Sequence, residues 1–152
     1  MKKRGLLQRA EIDFKCVELI LEHYSGDEAE LDVAAFHLQQ TIEKIMKWEL
    51  ASNGYVFSLT HEVHVLFQEM IDAELNPPKW IMDHYNVIND YATKTRYSES
   101  LVATRALFDV IRENTYEYLR QQLIKYEEIQ KLSSGAPIME KLNLFGEIDS
   151  EE

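Results

Sequence analysis

Apolar residues recur along this chain at intervals of three and four, the repeat of a helix face rather than of a strand. Leu7, Ala10, Phe14, Val17, Leu21 and Tyr24 form the first stripe, and Ser25-Gly26-Asp27 ends it. Asp27 with Glu30 resembles a capping box, which opens a second helix running to Asn53-Gly54, a left-handed stop. Within that helix Ala35, Leu38, Ile42 and Ile45 make an apolar face, while Phe36, Gln40, Glu43 and Lys47 share another. Tyr55-Val56-Phe57-Ser58 is unusually apolar for a loop and is expected to pack down. Thr60 is expected to cap a third helix, with Val63, Leu66, Phe67, Met70 and Ile71 turned inward.

Asn76-Pro77-Pro78 breaks that helix, because a residue before proline is pushed out of helical geometry. Ile81, Tyr85, Ile88 and Ala92 predict a helix over about 78–92, followed by a connector from Thr93 to Tyr97. Ser98 and Glu99 open the longest helix, whose stripe (Leu101, Thr104, Phe108, Ile111, Thr115, Tyr118, Gln122) reaches about Tyr126. Leu132 to Pro137 reads as a linker. Ile138, Met139, Leu142 and Phe145 then make a short amphipathic segment before an acidic end. The expected fold is all-α: an up-and-down helical bundle of four main helices plus a short C-terminal helix. Residues 1–130 would form the bundle and 131–152 the linker, short segment and tail.

Composition supports one domain. The chain has 152 residues, 45% of them hydrophobic, enough for a single core, and three prolines and five glycines leave long stretches unbroken. One cysteine, Cys16, excludes an internal disulfide framework and suits a reducing compartment. The basic start is interrupted by Glu11, Asp13 and Lys15 before any signal core forms, and no apolar run reaches the roughly 20 residues that span a bilayer. A cytoplasmic protein without membrane association is expected. A net charge of −11 repels phosphate at long range, so nonspecific polyanion binding is disfavoured.

The face bearing Gln40, Glu43, Lys44 and Lys47 has two readings. It is either a solvated surface laced by an i, i+4 Glu43–Lys47 pair, or a dimer seam or nucleotide-facing surface. His61 and His64 have the spacing of two metal ligands, yet no third ligand can be placed from His23, His37 or His84 and no second cysteine supports one. No metal and no cofactor is expected; His61 reads as a capping and packing residue and His64 as partly exposed. Trp48 and Trp80 read as half-buried at helix seams. There is no phosphate-cradling glycine loop, no Gly-X-Ser-X-Gly elbow and no Cys-X-X-Cys pair.

The phrase Phe36-His37-Leu-Gln-Gln40-Thr-Ile-Glu43-Lys44, followed by Thr60-His61 and then Tyr91…Arg96-Tyr97, resembles the HEPN domain family over roughly residues 7–126. The resemblance implies a helical bundle that commonly dimerises through its long helices. It also implies a prokaryotic toxin–antitoxin or defence setting and a nucleotidyltransferase-domain partner. Active ribonucleases of that family carry an arginine followed four to six residues later by a histidine on a late helix. Here Arg112-Glu-Asn-Thr-Tyr116-Glu-Tyr118 puts tyrosines where the histidine is needed, and a phenol with a pKa near 10 is a poor acid–base catalyst at neutrality. The expected function is therefore a noncatalytic binding and dimerisation module. It would bind nucleotide or RNA weakly in a groove lined by Arg105, Arg112, Tyr116, Lys44 and Lys47. The alternatives are a divergent metal-independent endoribonuclease using Arg112 with Tyr116 or Tyr118, and a purely structural homodimer. For the late helix itself, the plainer expectation is surface pairing of Arg105 with Asp109 and of Arg112 with Tyr116.

Overall fold

The computed structural model describes residues 2–97 and 102–134. Six α-helices follow one another among them, with no strand: α1 (Lys2–Glu22), α2 (Glu28–Ser52), α3 (Val63–Asp72), α4 (Lys79–Asp83), α5 (Tyr85–Tyr97) and α6 (Arg105–Ser134). Two compact units are distinguished, Met1–Leu119 and Arg120–Glu152, and the division falls within α6. In the second unit the described residues continue α6, with Ile124, Ile129 and Leu132 exposed.

Local chemistry sets the ends of α2. The Asp27 carboxylate accepts the Ala29 N–H at 3.0 Å. Glu30 reaches back past the cap to accept the Ser25 N–H at 2.9 Å and its hydroxyl at 2.8 Å. At the other end Gly54 takes φ +87°, which lets the Gly54 N–H bond to the Ala51 carbonyl and the Tyr55 N–H to that of Leu50. Between these caps α2 is the centre of the first unit, with α1, α3 and α5 packed against it. Leu31, Ala34, Leu38, Ile42 and Ile45 are buried, and so, on other sides of the same helix, are Gln39, Glu43, Lys47 and Glu49. Of the polar face left open between solvated surface and seam, Glu43 and Lys47 are thus buried within the chain while Gln40 and Lys44 are part-buried, and Trp48, expected half-buried, is fully buried.

The opening turns of α6 are held by side chains from three other helices. Asp32 of α2 accepts the backbone N–H of Val102 at 3.1 Å and of Ala103 at 2.8 Å. Arg105 lies over the Tyr24 ring, Arg112 pairs with Glu18 and Tyr116 rests against Phe14, so this part of α6 runs antiparallel to α1. Tyr91 of α5 meets Phe108 from the core side.

Several sequence expectations are corrected. The α2–α3 loop does not pack down at its tip: Val56 and Leu59 are 93% and 94% exposed. Its flanks are tied instead, Ser58 donating its N–H and its hydroxyl to Glu69. Thr60 does not cap α3; its hydroxyl accepts the Glu62 N–H, and the Val63 N–H is taken by Asn89 of α5 at 2.9 Å. The helix expected over 78–92 is two helices. The His84 ring Nδ1–H donates to the Trp80 carbonyl at 2.9 Å, while the His84 amide turns to Ile81, so the ladder loses a step there. Thr93–Tyr97 is helix rather than connector, since no Gly or Pro intervenes; within it the Thr93 and Thr95 hydroxyls turn back to the carbonyls of Asn89 and Tyr91. α6 begins at Arg105 and continues through Ser134, past the expected end near Tyr126. The expected opening at Ser98-Glu99 and the segment Ile138–Phe145 lie outside the described residues.

Candidate functional site

Phe36, Gln40, Glu43 and Lys47 do share one face of α2, and the α2–α3 loop crosses over it. Glu43 is the hub. Its Oε2 accepts the Lys47 ammonium at 2.7 Å, and its Oε1 faces His61 Nδ1 at 3.0 Å and the Gln39 amide at 3.3 Å. The Gln39 amide also donates to the His61 carbonyl at 2.8 Å, which anchors the loop backbone. Lys47 lies 5.5 Å from the centre of the Phe57 ring. The two ends of the Glu43–His61 pair differ sharply in environment: the glutamate side chain is 5% exposed and the imidazole 68%. A carboxylate receiving donors from three sides is an acceptor, so His61 Nδ1 carries the hydrogen and its Nε2 points away from the pair.

Beside His61 opens a cavity of about 170 Å³ lined by Phe36, Gln40, His61, Ala92 and Thr93. Residues 25 positions apart in sequence, Phe36 on α2 and His61 on the loop, thus meet residues of α5. Arg96 and Tyr97 close the same helix, one turn further on. A shallower depression of about 520 Å³ lies under α3, lined by His64, Phe67, Glu69 and Tyr85 among others.

The other signature residues form a second cluster on the flank of α2. Asp13 of α1 takes His37 Nδ1 at 3.0 Å and Lys44 Nζ at 2.6 Å, and Lys44 also donates to the Gln40 side-chain oxygen Oε1 at 3.2 Å. Lys44 and Lys47 are therefore drawn in different directions, one to α1 and one to the loop. Asp13 and Asn89 were not singled out as site residues by sequence reasoning. Gln39 stood inside the quoted 36–44 phrase but was given no role of its own.

On α6, Arg105 pairs with Asp109 at 3.0 Å, as expected. Arg112 does not pair with Tyr116. Its guanidinium makes a two-pronged contact with Glu18 of α1, at 2.7 and 2.8 Å, and these hydrogen bonds hold it firmly in the charged form. Tyr116 is half exposed. Tyr118 points inward: its hydroxyl donates to Glu49, and burial, with the Glu49 charge behind it, pushes its pKa well above the usual phenol value. Among the described residues no group of three or more His, Cys, Asp or Glu is placed to hold a metal ion. His61 turns to Glu43, whereas His64 turns to Asn89.

The architecture is that of a small all-helical domain in which the signature residues of α2 fall into two clusters, one around buried Glu43 and one around Asp13. Residues 4–133 match the HEPN domain family, and the chain belongs to it. No curated protein and no solved structure matches the chain. No helix among the described residues is long and apolar enough to cross a membrane.

Proposed function

We propose that this chain is a noncatalytic HEPN module that binds and dimerises. It would serve a nucleotidyltransferase or a nucleic-acid-processing partner in a toxin–antitoxin or defence-like system. Membership of the HEPN family points to a nucleotide- or RNA-related role, and HEPN domains commonly dimerise. The observation that carries the noncatalytic reading is the state of the late helix. Arg112 is engaged by Glu18, and Tyr118, one of the two phenols standing where a histidine would serve, is buried on Glu49 with its proton held. Neither is set up to take a proton from a ribose hydroxyl near neutral pH. Any phosphate reaching the groove of Arg105, Arg112 and Tyr116 competes with Asp109 and Glu18, so binding there is modest and weakens with salt. Lys44 and Lys47 would join it only by leaving Asp13 and Glu43. The same internal neutralisation favours, as the second reading, a homodimer with no nucleic-acid role.

The test is turnover. Purified chain incubated with single-stranded and structured RNA should cleave neither, and Arg112→Ala should change nothing. Cleavage by the wild type that Arg112→Ala abolishes overturns the noncatalytic assignment.

A further inference from the structure

We infer that the cavity between α2, the α2–α3 loop and α5 is a binding site for an uncharged nitrogen heterocycle carrying N–H donors, a nucleobase, with His61 Nε2 as its principal acceptor. This rests on the nucleotide-related reading of the family and names the site and the ligand chemistry for it.

The polar atoms around the cavity set the sign of the hydrogen bonding. Glu43 faces Nδ1, so in the neutral imidazole the hydrogen sits on Nδ1 and the lone pair on Nε2, which has no hydrogen-bond partner among the described residues. The Gln40 amide nitrogen is committed to Gln39 at 2.7 Å. Its oxygen accepts a single bond, from Lys44, and keeps a second lone pair. The Thr93 hydroxyl donates to the Asn89 carbonyl at 3.3 Å and retains its acceptor lone pairs. Three elements thus contribute acceptors to one cavity, and a ligand there must bring the donors.

Size and charge narrow the class. A cavity of about 170 Å³ is small beside the roughly 300–1,000 Å³ of ordinary ligand clefts, which favours a single ring system over a whole nucleotide. The Phe36 ring and the Ala92 methyl supply apolar wall, which suits a flat heterocycle better than a sugar. Lys44 and Lys47, the lysines on the α2 side of the cavity, are paired with Asp13 and Glu43, and the whole chain carries −11. The net field therefore opposes a phosphate, whereas a neutral base meets no such opposition. Glu43 acts as a positioning residue, orienting the imidazole from behind without touching the ligand.

The experiment is a ¹H–¹⁵N titration of the full chain with adenosine and cytidine, whose exocyclic amines are donors. N6,N6-dimethyladenosine, ribose and adenosine 5′-monophosphate are run beside them. Millimolar binding is expected, with shifts centred on the amides of Gln40, His61 and Thr93. Loss of the exocyclic donors should weaken it about tenfold. The monophosphate should bind no tighter than the nucleoside. Thr93→Val and His61→Ala should each weaken binding at least severalfold with the helical circular dichroism unchanged. Thr93→Val is the guard against a loop disturbed by the histidine change. A short oligoadenylate competing more strongly than adenosine identifies single-stranded RNA as the source of the base; weaker competition identifies free nucleoside. Equal binding of ribose, equal binding of the dimethyl analogue, shifts centred instead on His64, Phe67 and Tyr85, or no shift at millimolar nucleoside each overturn the site. None of these outcomes touches the noncatalytic assignment, which is decided by turnover at Arg112.

Discussion

The hydroxyl of Tyr91 is buried with no hydrogen-bond partner among the described residues, although Asp32 is close enough to influence it electrostatically. Asp32 directs its oxygens to the Val102 and Ala103 amides instead, so the phenol is a polar group enclosed without compensation. Burial first, and the Asp32 charge second, push its pKa up to about 12. Tyr91→Phe should therefore leave stability unchanged or raise it by about 1 kcal/mol, since no bond is lost and a desolvation cost disappears. The pH dependence has a definite sign. An unfolded phenol ionises near pH 10, whereas the folded one holds its proton to about 12. The stability contributed by the protonated form is thus complete below the first value and lost as pH rises through the second. The variant lacks that loss, so its advantage over wild type should widen across this alkaline window. Urea unfolding of both proteins at neutral and alkaline pH checks this, and a variant clearly weaker than wild type at neutral pH would refute it. Such a group is invisible in sequence, because a tyrosine on a core stripe looks the same whether or not its hydroxyl finds a partner. Asp27, Glu30 and Gly54, by contrast, were legible because caps are decided by neighbours a few residues away.

At the scale of the element, α2 explains both what the sequence disclosed and what it concealed. The i, i+4 spacing of Glu43 and Lys47 announced their pairing, and the pair is present at 2.7 Å. Its burial was not announced, because a polar stripe on a helix ordinarily faces water, and only the distant loop that brings His61 and Phe57 across it closes the face. Val56 and Leu59 misled in the opposite sense: apolar residues in a loop suggest packing, yet the ties at Ser58 and His61 hold the flanks and leave the tip in solvent. The buried pair makes an asymmetric prediction. Lys47→Ala leaves Glu43 with His61, Gln39 and Gln40 as donors, whereas Glu43→Ala leaves an ammonium that is 11% exposed with the Phe57 ring as its remaining partner among the described residues. Glu43→Ala should cost roughly 3–5 kcal/mol and Lys47→Ala clearly less. Chemical denaturation midpoints of the two variants decide it, and equal losses would mean that the loop donors do not sustain the carboxylate once the lysine is gone.

At the scale of the whole molecule, a chain carrying −11 repels a second copy of itself, so any dimer must rest on apolar contact. In the first unit α1 and the opening turns of α6 lie side by side, and they leave Ile12, Leu19, Val110 and Tyr116 about half exposed. Apolar side chains of that size on two adjacent helices are what an interface between protomers uses, with aromatic residues favoured at its centre. The family habit of dimerising and this surface together predict a symmetric homodimer held by α1 and α6. Because the apolar contact works against the mutual repulsion of two acidic chains, added salt should tighten the dimer, the screening length falling to about 10 Å at 0.1 M. That is the reverse of the salt effect on any phosphate bound near Arg112, so one titration separates the two kinds of association. Light scattering at high micromolar concentration should give a dimer mass that Tyr116→Glu and Leu19→Glu both reduce to that of a monomer. Val56→Glu, on the exposed loop tip of the same unit, should leave the dimer intact. A monomer at every salt concentration would remove the prediction, and a dimer broken by Val56→Glu but not by Tyr116→Glu would move the interface from the α1–α6 side to the α2–α3 loop.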